Sequence, residues 1–253
     1  MVSVKMMKIT LLGTSGGIPI PGRAQSGILI EVSDEKILLD CGMGVPLRLS
    51  ESGVGAEEID IISLTHGHLD HIQDLPSLTK ASWLRTEKAD YKIITPPGLR
   101  TKLINFWKSL DEFEKSELDF KMIEPEQSFQ SNDEGINIKA FKTEHTRMSQ
   151  GYEISYDGEK LVHTGDTATC EKVKEKAIGV DLLIHEVSHI AKTEGHTNPE
   201  DLISELKGID VGELVITHFY PSTAEKASEI STKIQEETDI PTNAGEDLKS
   251  FTI

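Results

Sequence analysis

Cysteine is scarce in this chain. Cys41 and Cys170 are the only two in 253 residues, too few for the disulfide framework of a small secreted domain. Positive charge is scarce too: 26 Lys and Arg face 43 Asp and Glu, a formal net charge of −17. There are five arginines (Arg23, Arg48, Arg85, Arg100, Arg147) and no run of three basic residues. A protein that tracks long duplex nucleic acid needs a basic face to neutralise phosphates, so that class is excluded, although one small basic cleft is not. No apolar stretch approaches the ~18–20 residues of a membrane span. The first ten residues carry no apolar signal-type core, and no linker rich in Pro, Gly or Ser divides the chain. The expectation is a single domain over residues 1–253, cytoplasmic, without membrane contact and long enough to bury a core.

What is present is a succession of short apolar runs punctuated by turns. Strands are predicted at Lys8–Leu12, Ile28–Val32, Lys36–Leu39, Ile59–Leu64, Tyr91–Thr95, Phe120–Ile123, Ile136–Phe141, Gly151–Tyr156, Lys160–Thr164, Leu182–His185 and Leu214–Thr217. Ser33-Asp34-Glu35 and Asp157-Gly158 read as hairpin turns. Helices are predicted at Leu75–Arg85, Leu99–Leu110, from the Thr197-x-x-Glu200 capping box to Lys207, and at Ala224–Glu236. Hairpins inside each half do not fit a doubly wound parallel sheet. Two mixed sheets packed face to face, with helices outside, fit better.

Gly13-Thr14-Ser15-Gly16-Gly17 follows the first strand but matches neither a phosphate loop nor a dinucleotide fingerprint. It reads as a tight turn, or as a loop whose backbone approaches a substrate. The chemistry lies in Thr65-His66-Gly67-His68-Leu69-Asp70-His71. Three imidazoles and a carboxylate within six residues, at the end of a buried-type strand, are donors that zinc, iron and manganese accept. His66 and His68 can face one point, Asp70 and His71 a second. Three later residues, His145, Asp166 and His218, also lie just past apolar strands. Each alone reads as an ordinary polar residue; together they recur at matching places.

With these motifs the sequence resembles the metallo-β-lactamase superfamily, and within it the ribonuclease Z-like and cyclic phosphodiesterase-like branch. The marks are Leu12-Gly13-Thr14, Leu39-Asp40-Cys41-Gly42, His-x-His-x-Asp-His, His145 with Ser149-x-Gly151-Tyr152, Gly165-Asp166-Thr167, Glu186, His196-Thr197 and Thr217-His218-Phe219. The resemblance implies an α+β fold, a four-layer αββα sandwich of two mixed β-sheets flanked by helices, with the site at the sheet edge. It implies one divalent ion on His66, His68 and His145, and another on Asp70, His71 and His218. Asp166 would bridge them and Asp40 would orient ligands. The ions would be zinc, with manganese or iron as alternatives. Asp70, His196 and Glu186 would serve catalysis, Ser149 and Thr197 substrate binding, and the chain would form a homodimer.

His185-Glu186-Val187-Ser188-His189 spells H-E-x-x-H, a protease signature that needs a helix to bring both histidines to one face. The preceding residues read as strand, so His163, His185 and His189 are taken as structural or surface residues. Two close metal ions supply a bridging hydroxide and stabilise displacement at phosphorus, and His196 would protonate the leaving oxygen. The expected function is a dinuclear phosphodiesterase acting on a small or cyclic phosphodiester or an RNA end. The alternatives are a tRNA 3′ processing endonuclease, a glyoxalase II-like thioesterase and a non-catalytic metal-bearing carrier. Ribonuclease Z proteins carry a long arm between the positions of His145 and Asp166. Here only 21 positions (166 − 145) separate them, which counts against tRNA.

Overall fold

The computed structural model describes residues 6–87, 89–110, 119–131 and 135–253. The first half of the chain builds one sheet from β1 (Met7–Gly13), β2 (Gly27–Val32), β3 (Glu35–Leu39), β4 (Ile61–Ser63), β5 (Lys92–Thr95) and β6 (Asp119–Met122). The second half builds another from β7 (Ser128–Gln130), β8 (Asn137–Lys142), β9 (Gln150–Tyr156), β10 (Glu159–His163), β11 (Val180–Glu186), β12 (Val211–Thr217) and β13 (Thr242–Ala244). The chain then returns to pair β14 (Ser250–Thr252) with β1. The sheet orders are β14-β1-β2-β3-β4-β5-β6 and β13-β12-β11-β10-β9-β8-β7. Each sheet is mixed: three antiparallel pairings along one side give way to three parallel pairings along the other.

Strand periodicity explains the layering. Ile28, Ile30 and Val32 point from β2 into the space between the sheets, where they join Ile9, Leu11, Ile37, Ile138, Tyr152, Ile154 and Leu182. Alternate residues point the other way. Leu29 and Leu38, with Ile62 and Ile93, pack under α1 (Val45–Glu51), α3 (Leu75–Thr86) and α4 (Leu99–Lys108) through Val45, Leu78 and Leu103. Val162, Leu183 and Leu214 pack under α5 (Glu171–Ala177), α6 (Pro199–Leu206) and α8 (Ala227–Thr238) through Val173, Leu202 and Ile234. The result is the αββα sandwich. The central parallel strands are apolar on both faces because both faces are covered.

Several expectations shift. The strand expected at 59–64 is confined to Ile61–Ser63, preceded by a 3₁₀ turn at Ala56–Glu58. The single helix expected at 224–236 is two, α7 (Pro221–Ala224) and α8, with Glu225 and Lys226 between them. The Thr197–Glu200 capping box does not form. Asn198 caps α6 instead, its Oδ1 accepting from the Asp201 N–H at 3.0 Å. Of the polar stretch 111–134, residues 111–118 and 132–134 lie outside the described residues. Among the described residues no helix is long and apolar enough to cross a membrane.

Candidate metal centre at the sheet edge

Every candidate donor sits at or past the C-terminal end of a strand. Asp40 follows β3. His66 and His68 follow β4, and Asp70 and His71 lie in the short α2 (Leu69–Ile72). In the second sheet His145 follows β8, Asp166 follows β10, Glu186 ends β11 and His218 follows β12. β3 and β4 run in one direction, as do β8, β10, β11 and β12, so these ends meet along one edge.

The loops are fastened from behind. Asp40 accepts from the Thr65 N–H and hydroxyl, both at 2.8 Å, and from His71 Nδ1 at 2.7 Å. Across the sheets, the Tyr152 hydroxyl donates to Leu64 O at 2.7 Å. Asp40 and His218 both adopt left-handed backbone, φ 59 and 60. For a side chain other than glycine this costs about 1–2 kcal/mol, and here it turns both functional side chains at a strand end. The glycine loop forms a wall of the site. The Gly16 N–H donates to Phe219 O at 2.9 Å, and a Cβ on Gly16 would lie 2.7 Å from the Tyr220 ring and 2.9 Å from His218 Cε1.

Two groups of donors result, sharing Asp166. In the inner group, Asp166 Oδ1 lies 3.2 Å from both His71 Nε2 and His218 Nε2. Those two nitrogens are 3.2 Å apart, and Asp70 Oδ2 is 3.3 Å from His218 Nε2. In the outer group, Asp166 Oδ2 lies 3.8 Å from His66 Nε2 and 3.7 Å from His145 Nε2, which is 3.1 Å from His68 Nδ1. The two oxygens of one carboxylate thus face one group each.

Proton assignment shows what these groups fit. Asp40 can only accept, so His71 carries its proton on Nδ1 and turns a bare Nε2 inward. His145 likewise gives its Nδ1 proton to Gly195 O at 2.9 Å. Lone pairs therefore face lone pairs in a buried pocket, and His66 Nε2 and Asp166 Oδ1 have no hydrogen-bond partner although both are buried. Such an arrangement calls for a cation. Atoms bound tetrahedrally at ~2.1 Å to one ion are about 3.4 Å apart, within the spread of the contacts above. The charge balance agrees. Burial opposes charge on His71, but Asp166 and Asp40 outweigh it and raise its pKa well above the ordinary value, so without an ion a proton on Nε2 takes the place of the cation that the neutral ring would face. Burial also opposes ionisation of Asp166, yet the surrounding imidazoles of His218 and His71 hold it well below the usual carboxylate range.

Beside the inner group, Glu186 Oε1 accepts from His196 Nδ1 at 2.9 Å and from the Thr167 N–H at 2.7 Å. Burial works against a charged His196, but Glu186 prevails and raises its pKa. The His196 side chain stays 12% exposed, open enough to meet a ligand.

A family model described as a beta-lactamase superfamily domain matches residues 35–219, a stretch that holds every donor named above. The chain belongs to the beta-lactamase superfamily. It is 30% identical over 246 residues to the ribonuclease Z of Mycobacterium marinum, covering 86% of this chain and 88% of that protein. Among solved structures it resembles the metallo-beta-lactamase fold protein YhfI from Bacillus subtilis, with TM-score 0.83, 24% identity and coverage of 98% and 100% of the two chains. It also resembles human tRNase Z, short form, with TM-score 0.76, 24% identity and coverage of 96% and 98%. Both structural likenesses are of fold. Membership and the paired His/Asp groups make the chain a metal-dependent hydrolase of the superfamily's ribonuclease Z-like branch.

Within this superfamily fold, His66, His68, Asp70, His71, His145, Asp166 and His218 converge, and Asp40, Glu186 and His196 stand beside them. Ser149 and Thr197, expected to bind substrate, are buried and hydrogen-bonded to loop backbone. Both are 1% exposed. Ser149 Oγ accepts from the Thr146 N–H and donates to Thr146 O, and Thr197 Oγ1 donates to Thr167 O at 2.7 Å. They brace the loops that carry His145 and His196. The H-E-x-x-H string is not helical: β11 runs through Glu186. His185 is buried, its Nδ1 donating to Glu186 O at 2.7 Å, and the His189 ring lies tilted against Tyr220 with centroids 4.3 Å apart. Sequence reasoning missed Thr65, Thr167 and Ser188, which hold Asp40 and Glu186. For Thr65 and Ser188 the available signal was a hydroxyl residue just past an apolar strand, whereas Thr167 bonds Glu186 through its backbone N–H, which no side-chain type encodes.

Proposed function

We propose that the chain is a dinuclear phosphodiesterase that cleaves a small or cyclic phosphodiester or an RNA end. The observation that carries this reading is Asp166, whose two carboxylate oxygens are directed to two separate nitrogen-rich groups. His66, His68 and His145 would hold one ion, Asp70, His71 and His218 the other, with Asp166 between. The nitrogen and oxygen donors suit zinc, and manganese or iron accept the same set. When bound, such a pair of ions supplies an activated water and neutralises charge on phosphorus oxygens.

The chain's own residues do the rest. Asp40 fixes the His71 ring so that Nε2 faces inward. Glu186 holds His196 by Nδ1 and leaves Nε2 to deliver a proton to the leaving oxygen. Its raised pKa keeps that proton available near neutrality. The segment between His145 and Asp166 is filled by the β9–β10 hairpin, turning at Asp157-Gly158. No arm for a tRNA body is built there, and the net charge of −17 repels a long RNA track. Both favour a small diester over tRNA.

The test is a substrate panel on one metal-quantified sample: bis(p-nitrophenyl) phosphate, 2′,3′-cyclic nucleotides, a precursor tRNA and S-lactoylglutathione. Hydrolysis of the small diesters, lost in His66→Ala, is the expected result. Activity confined to the thioester, or wild type as inactive as His66→Ala with two ions bound, would overturn it.

A further inference from the structure

We propose that Ser188 is a positioning residue that ties the proton-donor pair to the inner donor group by fixing the ring of His218. It rests on reading His218 as an ion ligand. Ser188 follows the strand end that carries Glu186 and is fully buried. Its hydroxyl lies 2.8 Å from His218 Nδ1 and in short contact with Glu186 Oε2.

Only one set of proton positions satisfies all three groups. A carboxylate accepts and does not donate, so the Ser188 hydroxyl proton goes to Glu186. The Ser188 oxygen then accepts from His218 Nδ1–H. The chain runs one way, from His218 to Ser188 to Glu186 Oε2. The same carboxylate receives the Ser188 N–H at 3.2 Å on Oε2, and His196 Nδ1 at 2.9 Å and the Thr167 N–H at 2.7 Å on Oε1.

Two consequences follow. His218 must turn a bare Nε2 toward Asp70, His71 and Asp166. Its left-handed backbone aims the ring, and Ser188 removes the remaining freedom of rotation about Cβ–Cγ. Glu186 meanwhile accepts from four donors, so the group that orients His196 is the one that, through Ser188, orients a ligand of the inner ion. Loss of such an outer partner typically weakens metal binding 10–100-fold.

The first experiment titrates zinc against a chromophoric chelator. Ser188→Ala should bind the inner ion about 10–100-fold more weakly and the outer ion as wild type does. Ser188→Thr, which keeps the hydroxyl, should bind both normally. The second uses wild type alone, so it decides the matter even if the alanine variant does not fold. Nitrogen-15 correlation spectra of the zinc-loaded protein should show His218 protonated on Nδ1, with that proton shielded from exchange. Wild-type affinity for both ions in Ser188→Ala, or His218 protonated on Nε2, overturns the proposal. Diester hydrolysis is measured on the same samples. An inactive wild type that gives the expected metal and spectral results would refute the phosphodiesterase reading while supporting this one.

Discussion

The inner and outer donor groups share Asp166 but are held in different ways. In the inner group each imidazole has a side-chain partner behind it: Asp40 on His71 and Ser188 on His218. Both rings are buried. In the outer group His145 leans on the carbonyl of Gly195, a loop residue with φ +75. His66 Nδ1 meets the Thr65 hydroxyl at 3.1 Å, and His68 is exposed. A carboxylate fixes a ring's direction and raises its basicity more than a neutral carbonyl does. The inner group is therefore built for retention, the outer group for access. The cleft side of the centre is the one that must admit substrate, so looser support there is consistent with the proposed reaction.

The comparison breaks most completely if Asp166 is not common to both groups. Asp166→Ala should lose both ions and at least about a thousandfold in diester hydrolysis, since several kcal/mol of charge stabilisation go with them. Metal analysis that still finds two ions per chain would remove the shared carboxylate. Next comes His196→Ala, which should keep both ions yet turn over about 10²–10⁴-fold more slowly. Unchanged turnover would take His196 out of the reaction.

A third test concerns stability beneath the inner group. His163 shares a small cavity with His71, Asp166 and His218, and burial pushes its pKa down to about 4. Its unfolded value is about 6.5. Between those values the unfolded chain binds the proton and the folded one does not. Stability is thus fully present above pH ~6.5 and falls as pH drops toward ~4, by about 3 kcal/mol in total. Urea titrations of metal-free protein should show wild type losing about that much more stability than His163→Gln across this window. An identical loss in the variant would assign it elsewhere.

Smaller still, Asp40→Asn should weaken the inner ion about 10–100-fold and leave the outer one near wild type. Equal weakening of both would mean that Asp40 supports the strand ends rather than one ring. Finally, brief chelator treatment should bring wild type to one ion per chain before none, the outer ion leaving first. Simultaneous loss would show that the difference in support has no thermodynamic weight.

The fold's alternation of apolar runs and turns was legible in the sequence because strand periodicity is local. Ile28, Ile30 and Val32 against Leu29 already assign two faces. The segment His66–His71 was legible for the same reason: four donors within six residues converge through a single strand end and helix start. His145, Asp166 and His218 were legible as residues past strands and through family resemblance, not as a geometric set. Thr197 misled because a capping box is a local pattern, and a long-range partner, Thr167 O, took its hydroxyl. H-E-x-x-H did not mislead, because the apolar run before it already read as strand, and pairing with β10 and β12 excludes the helical spacing the string would need.

By itself, then, the sequence determined which donor atoms exist, which of them lie close in the chain, and that the surface would carry excess negative charge. Only tertiary structure decided which carboxylate oxygen faces which group, which imidazole nitrogen is turned outward to a partner, and that Ser188 touches both His218 and Glu186. The physical reason is that these are contacts between loops set side by side by the two sheets: Asp40 and His71 are 31 positions apart, Asp70 and His218 are 148. Ring direction and proton placement follow from such contacts, and no local pattern encodes them.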